Sequence, residues 1–170
     1  MRTILAIIFC SIAQLMWGYN QGDILFQESK SSQSKYIKFA TLSSYTHCGV
    51  IYKKGGKDYV LEAAGKVRLT PVDEWIARGV GKKVKVRKCN KKGFRINLRK
   101  YLGKAYDTSF SWGDRRMYCS ELVYKIYLDN GIELCKLKKV RDYWTFPFRS
   151  YLKKRGISLD EIVVAPCDLM

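Results

Sequence analysis

The pattern of apolar and polar positions divides the chain into short strands and short helices. Strands are predicted where apolar residues alternate with polar ones, or form brief β-branched runs bounded by turn residues. Such segments lie at 22–26, 46–53, 59–64, 67–69, 80–89 and 162–164. The sequence Gly55-Gly56-Lys57-Asp58 separates the second segment from the third, which predicts a hairpin between these two strands.

Helices are predicted where apolar residues recur at every third to fourth position. The strongest pattern begins at Cys119 and ends at residue 128, and Asn130-Gly131 suits its C-terminal cap. Another helix is predicted after Thr70, which has the side chain of an N-cap, and Pro71, which suits a first turn. Weaker helical patterns lie at 28–38, 94–102 and from 147 onward.

The order of these elements predicts an α+β fold with an antiparallel sheet packed against helices. The chain has 170 residues, of which 47% are hydrophobic and 14% are aromatic, so it is long and apolar enough to form one domain with a real core. It contains no internal repeat and no linker. A single domain over residues 19–170 is therefore expected.

The first 18 residues have the pattern of a secretory signal peptide. Arg2 precedes an apolar run that continues to Trp17, and Gln14 interrupts this run, which is short for a membrane span. Cleavage after Ala13 and cleavage after Gly18 both fit, and a buried N-terminal helix is the structural alternative. The pattern predicts export to the periplasm or to the extracellular space.

The chain is strongly basic, which points to an anionic partner. It has 32 Lys and Arg residues against 15 Asp and Glu, for a net charge of +17. Phosphate, an anionic glycan, a lipid surface and nucleic acid are candidate partners, and a merely solvated basic surface is the alternative. Export and the lack of a known nucleic-acid motif argue against nucleic acid, so an anionic cell-envelope surface is favoured.

Cysteine usage favours thiol chemistry over a metal site. Loss of Cys10 with the signal peptide would leave an odd number of cysteines, so at least one stays unpaired in a monomer. The other candidates for disulfides, which could equally be small buried apolar side chains, are Cys48, Cys89, Cys135 and Cys167. No CxxC spacing occurs and the chain has one histidine, so neither a metal nor a cofactor is expected.

Cys119 and His47 are the candidate nucleophile and base. A helix N-terminus concentrates positive potential and free amide groups, which favour a thiolate and can hold an oxyanion. Because His47 is the only histidine, any Cys–His mechanism must use it. The structural alternatives are a buried core thiol for Cys119 and an ordinary strand residue for His47.

Glu62 and Tyr118 are candidates for supporting roles. A turn centred on Gly55-Gly56 places residues whose numbers sum to about 111 opposite each other, so a small register shift would make Glu62 a neighbour of His47 and let it orient the imidazole. An ion pair between Glu62 and a basic residue is the alternative. The Tyr118 hydroxyl could donate to an oxyanion or substrate, or the ring could simply pack under the helix.

Five segments, taken in order, resemble the YiiX-like group of permuted papain-fold enzymes, relatives of the NlpC-type cell-wall amidases. The matching segments are Gly22-Asp23-Ile24-Leu25-Phe26, Thr46 to Tyr52, Val60-Leu61-Glu62-Ala63, Gly103 to Asp107, and Tyr118-Cys119-Ser120-Glu121-Leu122-Val123. The resemblance implies a circularly permuted papain-like fold. It also implies Cys119 as nucleophile, His47 as base and Glu62 as the orienting residue.

The resemblance and the residues together favour a cysteine hydrolase that cleaves an amide, in a cell-wall-derived or other peptide. Family substrates are amides or esters, and lipid acyl groups occur in related branches, so a peptide or acyl amide is the expected substrate. The first alternative is an acyltransferase or ester hydrolase that acts on lipid at a membrane surface. The second is a non-catalytic module that binds through its basic surface.

Overall fold

The structure, a computed structural model, describes residues 18–170. The predicted signal peptide, apart from Gly18, lies outside the described residues. The strands are β1 (Ile24–Gln27), β2 (His47–Lys54), β3 (Lys57–Ala64), β4 (Lys66–Pro71), β5 (Lys85–Arg87), β6 (Ala105–Tyr106), β7 (Arg116–Met117), β8 (Lys138–Lys139) and β9 (Ile162–Val163). The helices are α1 (Ser34–Thr41), α2 (Val72–Arg78), α3 (Leu98–Tyr101), α4 (Cys119–Asp129) and α5 (Arg149–Lys154).

Seven strands form one sheet in the order β5-β1-β2-β3-β4-β6-β7, and β8 and β9 form a separate pair. All neighbours are antiparallel except β6 and β7, which are parallel. In the predicted hairpin of β2 and β3, Val50 lies opposite Leu61, so opposite residues sum to 111. The α+β prediction is confirmed, with one short parallel pair added to the antiparallel sheet.

Strand alternation sends apolar side chains to both faces of the sheet. On one face, Ile24 and Phe26 pack with residues of α4 such as Leu122. On the other face, Leu25 packs with Trp75 of α2. Because successive strand residues point to opposite faces, the continuous apolar runs of β1 and β2 serve two cores at once.

Helix α4 is the most deeply buried helix among the described residues. Nine consecutive residues, from Cys119 to Tyr127, are buried. The apolar periodicity of the sequence predicted this helix over 119–128, and the structure confirms its start at Cys119 and ends it one residue later, at Asp129. Its packing against β2 and β3 positions the N-terminus of α4 beside the start of β2.

Two predicted elements are shorter than expected. The predicted strand at 80–89 is reduced to β5, because Gly81 and Lys82 adopt positive φ angles of 62° and 54° in a 3-10 turn. The predicted helix at 94–102 is reduced to α3. The Arg95 amide donates to the side chain of Asn130, and the Asn130 amide donates to the Arg95 carbonyl, so these backbone groups are not free for a helix.

The helix predicted after Thr70 is present as α2, but its predicted N-cap was wrong. Thr70 lies in β4 and its hydroxyl donates to Glu62, while Pro71 occupies the N-cap position. Thr70 therefore belongs to the site described below. The bridging strands β6 to β8 were not predicted, because two-residue strands carry no periodic signal.

Within residues 18–170, no helix combines the length and the apolar character that a membrane span requires. In the same part of the chain the five cysteines are free thiols, so the predicted disulfide candidates are unpaired. Cys48 is buried in the core, as the alternative expectation allowed, whereas Cys89, Cys135 and Cys167 are half-buried.

Candidate active site

Cys119 is the first residue of α4 and is buried at the junction of the helix with the sheet. Its N-cap, Tyr118, has an extended backbone and makes no side-chain capping bond. The amides of the first turn of a helix have no partner within the helix. Cys119 therefore lies where amide donors and the positive end of the helix dipole coincide.

His47 is the first residue of β2, and its imidazole is bound by Glu62 of β3. The Nε2 atom of His47 lies 2.7 Å from Oε2 of Glu62. The ring also stacks against Trp75, with a centroid separation of 5.9 Å. The predicted register shift was wrong, because residues opposite each other in β2 and β3 have numbers that sum to 111 throughout the pairing. The side chains of His47 and Glu62 are therefore diagonal neighbours across the hairpin.

Glu62 has no exposed surface and accepts hydrogen bonds from five side chains. One carboxylate oxygen accepts from His47 and Trp75, and the other accepts from side chains of β4 and α2. The donors and distances are His47 Nε2 at 2.7 Å, Trp75 Nε1 at 3.0 Å, Thr70 Oγ1 at 2.7 Å, Arg68 Nε at 3.3 Å and the Arg78 guanidinium at 2.5 Å. The orienting bond to His47 and the alternative ion pair with arginine thus occur together.

These donors keep Glu62 ionised. Burial by itself would raise the pKa of this carboxyl, but the bonds from His47, Thr70 and Arg78 lower it to about 2. A buried carboxylate is stable only with such compensation. Glu62 is therefore a fixed negative charge behind the imidazole at all but strongly acidic pH.

The His47 imidazole also contacts the Cys119 thiol. Burial opposes its charged form, but hydrogen bonds to Cys119 and Glu62 and the charges of both groups raise the pKa of His47 to about 9. The pKa of Cys119 is held well below its usual range, first by a hydrogen bond from Cys48 and, against the effect of burial, by His47. Both shifts favour the thiolate–imidazolium form of the pair.

A sequence model of the permuted papain-like amidase enzymes (YaeF/YiiX, C92 family) matches residues 18–147. The chain belongs to this family. It is 38% identical to the uncharacterized protein YiiX of Escherichia coli K12, over 97% of this chain and 88% of that protein. A crystal structure of the metalloprotein yiiX from Escherichia coli O157:H7 matches with a TM-score of 0.79 and 38% identity, over 90% of this chain and 92% of that one.

Membership of the permuted papain-like amidase family confirms the expected fold, in which the histidine strand precedes the cysteine helix. It supports a cysteine-hydrolase type of activity in general terms. The word metalloprotein describes the Escherichia coli O157:H7 neighbour. In the described part of this chain no group of three or more His, Cys, Asp or Glu side chains could hold a metal ion, so we derive no step through a metal.

Cys48 is a site residue that the sequence reasoning considered only for disulfides. It follows His47 in β2, so strand alternation turns it toward the α4 face of the sheet, where Cys119 lies. Hydrogen bonding by its side chain and its backbone lowers the pKa of Cys119. Alternation alone places Cys48 on the face opposite to His47, so the sequence carried no signal that both residues act on Cys119.

Tyr118 lies next to the nucleophile, with its ring against Phe110 and its hydroxyl at Val164. The Val164 amide donates to the Tyr118 oxygen at 3.2 Å, and the ring centroids of Tyr118 and Phe110 are 5.4 Å apart. Burial raises the pKa of Tyr118 well above its usual range, so the hydroxyl keeps its proton. The ring packs as the structural alternative expected, and the role toward an oxyanion stays a prediction.

A cavity of about 120 Å³ opens beside Cys119, and its lining is almost entirely apolar. One wall is α1, another is the stretch around α5, and the floor is formed by the start of α4 and β9. The apolar and aromatic side chains on these walls include Tyr36, Ile37, Phe110, Tyr118, Tyr143, Tyr151, Leu152, Ile157 and Val163. Sequence reasoning did not predict this cavity, since its walls come from segments more than 100 residues apart.

Proposed function

We propose that this protein is a cysteine hydrolase that cleaves an amide, with Cys119 as nucleophile, His47 as proton carrier and Glu62 as the residue that orients His47. The observation that carries the proposal is the chain of contacts from Glu62 through His47 to Cys119 at the start of α4. Thiol hydrolases require this arrangement, in which the nucleophile is next to the base and the base is next to the orienting group.

In the first half of the reaction the Cys119 thiolate attacks the amide carbonyl carbon. Because Nε2 of His47 donates to Glu62, Nδ1 is the ring nitrogen that carries the proton to the substrate. That proton passes to the leaving nitrogen, the C–N bond breaks, and the amine departs from a thioester on Cys119. The free amides at the start of α4 stabilise the oxyanion, with the Tyr118 hydroxyl as a further donor in this proposal.

In the second half water attacks the thioester carbonyl while neutral His47 takes one of its protons. The C–S bond breaks, the carboxylic acid leaves, and Cys119 returns as a thiolate beside a protonated His47. Glu62 stays ionised throughout, because its pKa of about 2 lies far below neutral pH. Its negative charge stabilises the imidazolium that forms in each cycle.

The apolar cavity supports a substrate with an apolar acyl group. Cys119 and Tyr118 both line this cavity, so an acyl chain within it would present its carbonyl to the sulfur. A polar cell-wall peptide would leave its charged groups without partners there. The same cavity favours a second candidate function, which is hydrolysis or transfer of a lipid ester. Formation of the thioester is the same whether the leaving atom is the nitrogen of an amide or the oxygen of an ester.

Alkylation by iodoacetamide tests the nucleophile. At mildly acidic pH we expect Cys119 to react several-fold faster than a free thiol, because its pKa is depressed. Replacement of His47 by Ala should remove most of this advantage, and Cys119→Ala should abolish the fast phase. Cys135→Ala is the matched control, since this half-buried thiol lies outside the site. A Cys119 rate equal to that of a simple thiol would contradict the proposal.

A series of amides tests the substrate. Acetyl, octanoyl and dodecanoyl amides of one chromogenic amine should show kcat/KM rising with chain length, by roughly threefold per methylene until the cavity is full. Esters with the same acyl groups test the second candidate function, because their kcat/KM can be compared with that of the amides. A γ-glutamyl peptide tests the cell-wall alternative. Faster turnover of the peptide than of every acyl amide would contradict the apolar acyl group while leaving the cysteine mechanism intact.

A further inference from the structure

Four large apolar side chains stand exposed beside the cavity, and we name them the apolar rim. They are Phe39 at 54% exposure, Leu42 at 80%, Trp144 at 52% and Phe146 at 75%. Contiguous exposed apolar patches of this kind mark binding surfaces. The rim accounts for four of the nine large apolar side chains that are exposed in the described part of the chain.

The members of the rim come from two segments that touch each other. The Trp144 amide donates to the Ala40 carbonyl of α1 at 3.0 Å. Phe148, on the same 3-10 turn as Phe146, packs against Phe39 with ring centroids 5.8 Å apart. The rim is therefore one continuous surface rather than four separate residues.

The rim residues are direct sequence neighbours of residues that line the cavity. Ala40 and Thr41 line the cavity and lie between Phe39 and Leu42 in sequence. Thr145 lines it and lies between Trp144 and Phe146. Among residues 18–170 no charged residue lines the cavity, and its lining residues adjoin the rim residues along both segments.

Basic residues outnumber acidic ones around the rim, although Glu28, Asp142 and Asp160 flank its two segments and Glu28 pairs with Lys38 at 2.9 Å. Between residues 29 and 46, and between 143 and 159, there are seven basic residues and no acidic one. They are Lys30, Lys35, Lys38, Arg149, Lys153, Lys154 and Arg155. The Arg149 guanidinium lies over the Phe146 ring at 5.7 Å, so charge and apolar surface are directly adjacent.

We propose that the apolar rim docks on an anionic lipid bilayer, with the mouth of the cavity facing the lipid. Aromatic side chains enter the boundary between headgroups and acyl chains, and neighbouring Lys and Arg bind anionic headgroups. A bilayer matches both features of the surface. It also supplies apolar acyl groups directly to the cavity, and this use rests on the proposed function. The docking on the bilayer does not rest on that function.

Vesicle binding by the full chain tests the surface. The full chain should bind phosphatidylcholine vesicles that contain phosphatidylglycerol about tenfold or more tightly than pure phosphatidylcholine vesicles. Trp144→Ser combined with Phe146→Ser should weaken binding about tenfold or more. The matched control is Leu102→Ser combined with Leu128→Ser, two exposed positions that do not line the cavity.

A second pair of variants tests the charge. Lys153→Gln with Lys154→Gln should weaken binding to anionic vesicles several-fold. Lys54→Gln with Lys57→Gln removes the same charge at the far end of the β2–β3 hairpin and should have much less effect. All variants keep the apolar segment at 3–17, so its contribution to binding is common to them, and circular dichroism checks that each variant is folded.

Quenching by brominated lipid gives a local readout. The chain has four tryptophans, so the difference in quenching between the unsubstituted chain and Trp144→Phe is what reports the depth of Trp144. Equal vesicle binding by rim and control variants, or a Trp144 signal that brominated lipid leaves unchanged, would overturn the docking surface. Lack of hydrolysis of every soluble amide by the unsubstituted chain would instead overturn the proposed function and leave the vesicle result standing.

Discussion

His47 lies between two negatively charged groups, and this position explains its raised pKa. Glu62 binds Nε2 and is itself held by four other donors, and Cys119 is the second group whose hydrogen bond and charge raise the pKa of His47. A buried imidazole without partners would be neutral. Here both partners favour the charged form, so the residue that should move the proton rests in its protonated state.

The lone histidine makes this ionisation measurable without assignment. A single imidazole signal in the NMR spectrum should titrate with a pKa of about 9 in the unsubstituted chain. Glu62→Gln and Cys119→Ala should each lower that pKa, because each removes one negative charge that favours the imidazolium. A pKa that is unchanged in both variants would contradict the arrangement of the three residues.

Cys48 offers a second test at the residue scale. Its hydrogen bond is the largest influence that lowers the pKa of Cys119. Cys48→Ala should raise the Cys119 pKa, so the thiolate absorbance should appear at higher pH and alkylation at mildly acidic pH should slow several-fold. Cys89→Ala, which removes a half-buried thiol elsewhere, should leave both measurements unchanged.

At the scale of elements, the β2–β3 hairpin holds the histidine and the carboxylate in register. Gly49 lies between His47 and the rest of β2, and a Cβ there would come within 2.3 Å of Val60 Cγ1 and 2.9 Å of the Leu61 carbonyl oxygen. The close approach of the two strands at this point requires glycine. Any side chain at this position would push apart the strands that carry the two catalytic candidates.

Gly49→Ala should therefore destabilise the protein by about 1–3 kcal/mol, the usual cost of overpacking. Urea unfolding measures this change, and the His47 titration reports whether the hairpin geometry moved. Gly113→Ala is the matched control, because a Cβ at Gly113 meets no atom within 4 Å. Equal stability of the two variants would show that β2 and β3 can separate at little cost.

At the scale of the whole molecule, Glu62 ties stability to pH. Its pKa is lowered from 4.5 to about 2 on folding, so its contribution is present above pH 4.5 and is lost as the pH falls through the folded value. The loss should approach about 3 kcal/mol as an upper limit. Other carboxylates also make the free energy of unfolding depend on pH. The contribution of Glu62 is therefore measured by comparison with variants.

Unfolding by urea from about pH 5 down to about pH 2 measures this loss. Glu62→Gln should show a shallower decline in the free energy of unfolding, while Glu74→Gln, at an exposed position of α2, should decline as the unsubstituted chain does. A parallel decline in all three chains would mean that Glu62 is not preferentially ionised in the folded protein.

The predictable part of this protein came from local patterns. The α4 periodicity, the turn at Gly55-Gly56 and the single histidine each depend on a few neighbouring residues, and each identified an element or a candidate correctly in position. The pairing of Glu62 with His47 was predicted for the wrong geometric reason. The side chains are long enough to meet diagonally, which no count of register positions describes.

By itself the sequence determined the order of the longer strands and helices, the α4 start at Cys119 and the identity of the one histidine, because helix and strand periodicities are local properties. Only the tertiary structure decided which groups surround Glu62, that Cys48 contacts the nucleophile, and that an apolar cavity opens there. These features join residues from distant parts of the chain. Their distances depend on how the sheet, α1, α4 and the α5 region pack together, and no spacing along one segment encodes that.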